Sequence, residues 1–438
     1  MYNNFNWQFI RKFRYCILSI IILLPLSCSS VEVSKNQVDQ EELVKLENKV
    51  KADPLDSLAL KQLSILLVRN HQNEKANFYL SKAIQIMPND AALLFNQGLN
   101  YEFLNDTLSA LNCYARYGET PPESPYRELM EGRYLYLYRN QVYKDIHNRI
   151  AAEDKLNIHS IPENTLAVFP LSYYGSDNKY KPLSRGLSEM ISIDLSKVKE
   201  LTVLERIRLK AIMDELEYSR LIVDQNSAPR IGKLLSARIL YDGSFNITDD
   251  DNLKMNINSW DINYTTTGRW LNKTGKLRDL FIIEKDLVFD IIDDLGIQLT
   301  QREIEQIELI PTNNINAFLE YSIGLELQDN GNYSEAAMFF FRATQMDPNF
   351  KEALTKYNTA QFISNSLVNR DEFLNKARNI SSIENLTIII IGDIITNRLD
   401  IVDQSIKSTF NQGIENRKAP QEATNSIPLP PPPPPPGR

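Results

Sequence analysis

Cysteine and histidine are scarce in this sequence of 438 residues, which contains three of each. Zinc sites are usually built from clustered cysteine and histidine side chains, and the chain has neither such a cluster nor an HExxH motif. It also lacks a P-loop, a GxGxxG motif after a strand and a GxSxG motif. We therefore predict that the protein is not an enzyme and that it has no catalytic residue, no cofactor and no metal site.

Positive charge and long apolar runs are scarce as well. The formal net charge is −8 at pH 7 and no block of lysine and arginine stands out, which disfavours nucleic-acid binding because phosphate contacts need clustered positive charge. The apolar run over residues 17–24 is too short to span a bilayer core of about 30 Å. Cys113 lies between Leu111 and Tyr114 on a predicted helix, so we interpret it as a buried structural thiol.

The N-terminal residues have the features of a processed export signal. Basic side chains precede the apolar run, and a small residue, Ser27, stands directly before Cys28. This arrangement resembles the bacterial lipobox, whose cysteine becomes the acylated first residue of the mature protein. The resemblance implies a signal peptide over residues 1–27, a lipid on Cys28 and a polar tether over residues 28–40. The alternative is an ordinary secretory signal, or an uncleaved anchor, with an incidental cysteine.

A period of 34 residues runs through the segment that follows. Pro54, Pro88 and Pro122 are 34 residues apart, and Ala76 and Ala110 share that spacing. Apolar side chains between them recur at helical intervals, and together these features resemble the tetratricopeptide repeat, in which antiparallel helix pairs stack. The positions that carry the resemblance are Ala76, Ala83 and Pro88 in one copy, and Gly98, Tyr101, Ala110, Tyr114 and Pro122 in the next.

A further copy of the repeat lies far downstream and is the clearest. Its positions are Gly324, Tyr333, Ala336, Phe340, Ala343 and Pro348. A degenerate copy follows over residues 351–384. The sequence therefore predicts helical domains over residues 41–160 and 312–410, whether the units are true repeats or ordinary helical hairpins.

The intervening region, residues 161–300, alternates short strands and helices. We predict strands over residues 166–170, 201–204, 238–248 and 253–265, and helices over residues 182–197, 208–218, 229–235 and 282–299. After Ile257 the apolar residues of the last strand change parity, which predicts a β-bulge near Asn258 to Trp260. The predicted fold class is α/β plus all-α, with a mixed sheet between two regions of helical hairpins.

Local segments of this region resemble the CsgG family, the curli-secretion channel and its relatives, and the N-terminal domain of TolB. The matching segments are, in order, residues 166–171, 186–190, 201–206 and 232–245. The resemblance implies a periplasmic, outer-membrane-associated domain that makes ring-like or side-by-side contacts. Its motif residues are Phe169, Pro170, Gly186, Glu205, Arg206 and Gly243, for which we favour a packing role over ligand binding.

Two function hypotheses follow. In the first, the protein is an interaction scaffold in envelope assembly or secretion. It is fixed by Cys28 to the periplasmic side of the outer membrane, and it binds envelope proteins or peptides through its repeat grooves. In the second, it is an oligomeric CsgG-like component of an outer-membrane secretion or curli-type assembly machine. Channel-forming relatives insert membrane hairpins, whereas here four polar residues, 249–252, join two strands, so the resemblance does not extend to a pore.

The C-terminal residues 411–438 are rich in proline. Pro428 and the uninterrupted run of residues 430–436 predict a polyproline II or disordered tail. Such a tail can act as a rigid spacer or as a ligand for an aromatic groove, and we favour a passive tail.

Replacing Cys28 with alanine removes the sulfur that the lipobox offers for acylation. We expect Cys28→Ala to lose incorporation of labelled palmitate in the native host and to leave the membrane fraction. Cys113→Ala, the control, keeps both. Continued acylation of the Cys28→Ala protein would show that the lipid, if any, is attached elsewhere.

Overall fold

The computed structural model describes residues 39–216, 226–263 and 267–380. The predicted signal peptide, Cys28 and the proline-rich tail lie outside the described residues. Within this described part, none of the helices combines the length and the apolar character that a membrane span requires.

The N-terminal region consists of antiparallel helices joined by short turns. They are α1 (residues 39–52), α2 (Ser57–Arg69), α3 (Asn73–Ile86), α4 (Ala91–Phe103), α5 (Thr107–Tyr114) and the long α6 (Pro125–Ala151). The repeated prolines Pro54, Pro88 and Pro122 lie in the turns, each three residues before the first residue of the next helix. Asp56 and Asp90, each two residues after a proline, accept hydrogen bonds from backbone N–H groups in the first turns of α2 and α4.

The middle region contains a six-stranded mixed sheet. Its strands are β1 (Thr165–Val168), β2 (Ser172–Tyr173), β3 (Thr202–Val203), β4 (Ile239–Ile247), β5 (Asn252–Asp261) and β6 (Thr267–Lys276). The strand order is β3-β1-β4-β5-β6, and β2 pairs with β4. The pairs that involve β1, β2 and β3 are parallel, whereas β4–β5 and β5–β6 are antiparallel. The helices of this region are α7 (Leu183–Ser196), α8 (Arg206–Glu215), α9 (Ala228–Leu235), α10 (Leu280–Asp294) and α11 (Gln301–Ile307).

Both faces of the sheet are covered. Alternate side chains of β1 enter different cores, with Leu166 and Val168 in one and Ala167 in the other. The first core includes side chains of α7 and α10 and continues into the C-terminal helices, where Phe318 and Phe340 belong to it. The second core includes side chains of α6, α8 and α9. The long helix α6 therefore belongs both to the N-terminal hairpins and to the layer that covers the sheet.

The C-terminal region repeats the hairpin pattern. Its helices are α12 (Ile315–Asp329), α13 (Tyr333–Met346), α14 (Lys351–Ser366) and α15 (residues 370–380). Helix α14 packs along α6 and α12 packs on α7, so these helices contact both the N-terminal region and the sheet region. Glycines allow both approaches. A Cβ atom on Gly132 of α6 would collide with the Phe362 carbonyl of α14, and one on Gly186 of α7 would lie 2.9 Å from Cζ of Phe318.

The predicted fold class is confirmed, since a mixed sheet lies between two regions of helical hairpins. The pairing irregularity near Asn258 to Trp260 is present, but it lies between β5 and β6. Against β4 the register of β5 is continuous. The change of apolar parity has a different cause from the bulge: Ile257 faces the first core and Trp260 the second.

Several predicted element ends were wrong, and one element was missed. Helix α10 ends at Asp294 rather than near residue 299, because Gly296 adopts a positive φ of 69° that stops the helix. Helix α8 begins at Arg206 instead of Arg208. Strand β6 was not predicted, since one of its faces is exposed to solvent and is polar from Asn272 onwards, so apolar alternation is short.

Gly132→Ala tests whether the α6–α14 contact holds the two helical regions together. Alanine is the better helix former, so local propensity alone would stabilise α6. We expect a net loss of about 1–3 kcal/mol instead, since the new methyl group overlaps backbone that cannot move aside easily. Thermal unfolding followed by circular dichroism measures the change. Gly118→Ala is the control, because no atom lies within 4 Å of its Cβ position. Equal midpoints for the two variants would contradict the proposed tight contact.

Candidate functional site

The repeat positions that the sequence singled out pack hairpin helices together. A Cβ atom on Gly98 would lie 2.5 Å from the Tyr114 ring, and one on Gly324 would lie 2.6 Å from the Phe340 ring, so glycine makes the same close approach in two hairpins. The alanines are fully buried, and they are Ala76, Ala83, Ala110, Ala336 and Ala343. Tyr101 is half-buried on α4 and Tyr333 is buried at the start of α13. Pro88, Pro122 and Pro348 lie in connections between helices.

The CsgG-motif positions divide into two groups. Phe169 is buried in the second core, Pro170 is half-buried beside it, and Gly243 faces the Asn256 carbonyl across the β4–β5 pair. These three shape the sheet region. In contrast, Glu205 and Arg206 line a cleft at the boundary with the C-terminal helices, and Gly186 lies on α7, which forms one wall of that cleft.

This cleft, of about 430 Å³, is the candidate functional site. Four parts of the chain contribute to it: α6, α7, the β3–α8 connection and the hairpins α12–α14. The side chains that line it include Tyr134, Tyr138, Glu189, Glu205, Arg206, Gln328, Asp329, Lys356 and Thr359. The cleft exists only where regions distant in sequence meet, so no single segment of the sequence could have indicated it.

A network of buried charges forms the floor of the cleft. Arg206 lies 2.8 Å from the Asp329 carboxylate and 3.1 Å from that of Glu189. Arg185 donates to the other oxygen of Asp329 at 2.9 Å, and Lys356 lies 2.7 Å from the second oxygen of Glu189. Each carboxylate therefore has two cationic partners. Such pairing is what makes burial of these charges tolerable, because an isolated buried charge costs several kcal/mol.

The two carboxylates of the floor differ in their electrostatics. Burial raises the pKa of Asp329 despite the nearby charges of Arg206 and Arg185. Burial by itself would raise the pKa of Glu189, but the charges of Lys356 and Arg206 outweigh burial and lower the pKa to about 2. Glu189 is therefore ionised at any physiological pH and does not exchange a proton near neutrality. This favours a fixed ionic joint between α7, α8 and α14 over a general acid or base.

Tyrosine side chains form the rim of the cleft. Tyr134 and Tyr138, one helical turn apart on α6, are stacked with ring centroids 5.8 Å apart and planes inclined by 16°. Tyr117 does not line the cleft, and its ring centroid lies 6.3 Å from that of Tyr134. The Tyr138 hydroxyl donates to Glu205 at 2.8 Å, which holds this ring against the start of α8.

A second surface lies on the C-terminal hairpin α13–α14. Met338, Phe341 and Leu354 are each about half exposed, at 52, 45 and 48 %. The Phe341 ring contacts that of Tyr357 at 5.3 Å, and the two helices border a shallow groove of about 380 Å³. Apolar side chains grouped in this way on a folded surface are typical of protein-binding sites.

Cys113 is half-buried, whereas the sequence predicted a buried thiol. Burial raises the pKa of this thiol to about 11, and the sulfur lies 3.7 Å from the Gln97 side chain. The thiol is therefore protonated at neutral pH, as a structural role requires and a nucleophile does not.

The comparisons with known proteins agree with this geometry for the middle of the chain. The family described as "Curli production assembly/transport component CsgG" matches residues 139–252. This part of the chain is a CsgG domain. The match begins within α6, whose Val142 and Ile146 belong to the second core of the sheet. No curated protein sequence matches the chain.

Solved structures similar to the chain include two helical-repeat proteins and one domain. The C-terminal domain of LpoB from Salmonella enterica is 11 % identical, with 26 % of this chain and 85 % of that chain covered and a TM-score of 0.22. A tetratricopeptide repeat protein from Parabacteroides merdae is 15 % identical, with coverage of 76 and 97 % and a TM-score of 0.22. Yeast Tom70 is 14 % identical, with coverage of 81 and 68 % and a TM-score of 0.23.

Three contributors to the floor were missed by sequence reasoning. Asp329 stands at the end of α12 before a turn, Lys356 is one of several polar residues on α14, and Arg185 precedes a motif glycine. Charged residues at such positions usually face solvent, so the hydropathy pattern gave no sign of their pairing. A charged residue on an otherwise apolar helix face would have indicated a buried ion pair. Here the paired residues lie on helices of different regions, so no single helix shows that pattern.

Arg206→Met tests whether the buried charges of the floor join the CsgG domain to the C-terminal helices. The substitution leaves two buried carboxylates with one partner fewer each, and we expect a loss of about 3 kcal/mol in the free energy of unfolding. The control is Arg230→Met, which removes a bidentate pair with Glu153 at the surface and is expected to cost less than about 1 kcal/mol. Urea unfolding measures both. Similar losses for the two variants would rule out a special role for Arg206.

Proposed function

We propose that this protein is a non-enzymatic interaction scaffold of the bacterial cell envelope. In this proposal a lipid on Cys28 attaches it to the periplasmic side of the outer membrane, and its hairpin grooves bind proteins or peptides during envelope assembly or secretion. The CsgG domain supports an envelope setting, since the matched family is described as a curli assembly and transport component.

The observation that carries the binding role is the groove on α13–α14, where exposed apolar side chains lie beside polar ones. Met338 and Phe341 lie on the exposed face of α13, although the opposite face of the same helix supplies Ala336 and Phe340 to the core. An amphipathic helix with a satisfied core face needs no apolar residues on its outer face. Their presence there favours a partner that covers them, and a segment with apolar side chains fits the groove best.

The buried network gives the scaffold a fixed geometry. Helices α12 and α14 are held to the CsgG domain by Arg206, Asp329, Glu189 and Lys356, in addition to the shared apolar core. A partner bound to the C-terminal groove would thus be held in a defined orientation relative to the CsgG domain. Rigid presentation of this kind lowers the entropic cost of bringing two bound components together.

The family match also favours a second candidate function. The protein would be an oligomeric component of an outer-membrane secretion or curli-type assembly machine, in which CsgG domains of several copies contact each other. Electron microscopy of detergent-extracted protein separates the candidates. A closed ring of copies supports the machine component, whereas single copies or irregular complexes support the scaffold.

A photo-crosslinking amino acid placed at Met338 tests the groove in living cells. Phe78 on α3 occupies the equivalent repeat position, since each lies two residues after its buried alanine, and it is similarly exposed at 54 %. We expect crosslinked protein partners from position 338 and a several-fold loss of them when Phe341→Ser is added, because the groove loses its main apolar contact.

Position 78 serves as the matched control for nonspecific contact. The same crosslinked products from positions 338 and 78, or products that do not respond to Phe341→Ser, would contradict the proposed groove. Whole-cell extracts of a Cys28→Ala strain complete the test. Products that are unchanged there would mean that the lipid anchor does not organise the interaction.

A further inference from the structure

We propose that a cavity at the start of α14 binds a small monocarboxylate that carries a compact apolar group. The cavity has a volume of about 270 Å³ and lies between α7, α10, α12, the connection from α11 to α12, and the first turn of α14. None of its lining residues borders the groove on α13–α14, so the inference goes beyond the proposed scaffold function.

Buried lysines form one wall of the cavity. Lys285 is 6 % exposed and pairs with the Asp194 carboxylate, and the Lys197 ammonium lies 2.6 Å from the other oxygen of Asp194. Burial raises the pKa of the neighbouring Glu284 to about 8, so this carboxyl group is protonated and uncharged near pH 7. Two lysines therefore share the carboxylate of Asp194, and one positive charge is left for an anion to neutralise.

The start of α14 supplies hydrogen-bond donors to the same cavity. Residues 349–352 line it, and the side chain of Phe350, the residue before the helix, makes no capping hydrogen bond. The first N–H groups of an α-helix have no acceptor within the helix, and the helix dipole places partial positive charge there. A carboxylate in this position is therefore stabilised by hydrogen bonds and by charge together.

A buried tyrosine hydroxyl gives independent support for a ligand. Tyr321 lines the cavity and is 1 % exposed, yet its hydroxyl has no hydrogen-bond partner within the described part of the chain. Burying a hydroxyl without a partner is costly, and most buried polar groups of folded proteins are hydrogen-bonded. A carboxylate oxygen in the cavity is an acceptor to which the Tyr321 hydroxyl can donate.

Apolar side chains border the exposed side of the cavity. Leu309 and Ile310 are 67 and 38 % exposed, and Pro311 follows them. Lys351 and Glu352 beside them carry opposite charges and add no net charge. This combination of an apolar border and a cationic wall suits a ligand with one anionic and one apolar part.

The size of the cavity limits the apolar part. Its volume lies just below the range of about 300–1,000 Å³ in which drug-sized ligands bind. A short-chain fatty acid and the C-terminal residue of a peptide with an aliphatic side chain both fit this description. They share the chemistry that the cavity recognises, a carboxylate joined to a short aliphatic group.

Equilibrium dialysis of the detergent-extracted full chain with radiolabelled hexanoate at pH 7 tests the cavity. We expect saturable binding, which unlabelled hexanamide does not displace because it lacks the negative charge. Tyr321→Phe removes only the unpaired hydroxyl, so it should keep the fold and weaken binding at least about fivefold. Tyr241→Phe is the matched control and should leave binding unchanged. Its hydroxyl is also buried without a partner in the described structure, but Tyr241 does not line the cavity.

Lys285→Met should abolish saturable binding, since it removes the buried cation. Circular dichroism shows whether this variant is folded, and the two tyrosine variants decide the matter if it is not. Unlabelled N-acetyl-leucine distinguishes the sources of the ligand. Stronger displacement by N-acetyl-leucine than by hexanoate supports a peptide C-terminus, and weaker displacement supports a free fatty acid. Either result is consistent with the proposed site.

Three results would overturn the proposal. They are no saturable binding of hexanoate, displacement by hexanamide or inorganic phosphate as strong as by hexanoate, and equal affinities of the Tyr321→Phe and Tyr241→Phe proteins. The photo-crosslinking at Met338 probes another surface, so either proposal can fail without the other.

Discussion

A single arginine joins parts of the chain that are far apart in sequence. Arg133 of α6 is buried and makes a bidentate pair with Glu102 of α4, at 2.9 and 2.7 Å. Its remaining terminal nitrogen donates to the backbone carbonyls of Ser366 and Val368 at 2.7 and 2.8 Å. One guanidinium therefore links the N-terminal hairpins to the end of α14, 233 residues away. Its planar array of donors makes this possible, and lysine could not replace it.

The cost of burying Arg133 explains why its surroundings are so fully organised. An uncompensated buried charge would destabilise the fold by several kcal/mol, so each partner must be held in place. Tyr114 donates to the Glu102 carboxylate at 2.9 Å, and Tyr114 is itself seated against Gly98. Gly98 therefore affects this contact indirectly. The glycine sets the position of Tyr114, which positions the Glu102 carboxylate. That carboxylate neutralises Arg133, which links α6 to the end of α14.

Sequence reasoning succeeded where the determining forces are local. Gly98 and Gly324 were assigned to the repeat signature, and a Cβ atom on either would lie within 2.6 Å of an aromatic ring of the partner helix. The 34-residue period identified hairpins because each hairpin buries most of its apolar surface against its neighbours. The CsgG domain was found from ordered segments around the sheet for the same reason. Turn residues, capping aspartates and apolar alternation all act within a few residues of each other.

It failed where distant segments meet. Strand β6 has few apolar residues because only one of its faces is covered, by α10, so period-two alternation hardly shows in the sequence. Gly132 and Asp329 belong to no local motif, yet one sets the α6–α14 contact and the other neutralises Arg206. The cleft could not be predicted either, since its walls come from regions on both sides of the CsgG match. Contacts of this kind are determined by tertiary packing, and a local sequence pattern describes only one of the two segments that meet.

The composite nature of the cleft has a thermodynamic consequence. Arg206 and Glu189 lie within the CsgG match, whereas Asp329 and Lys356 come from the C-terminal helices α12 and α14. If those helices moved away, each carboxylate and each cation would lose a buried partner, so the open arrangement is costly. Any ligand that needs both walls therefore binds the assembled arrangement and stabilises it by mass action. By reciprocity, whatever strengthens the contact between the CsgG domain and these helices also strengthens binding in the cleft. The buried charges that hold the two regions together therefore also affect the affinity of the cleft for a ligand.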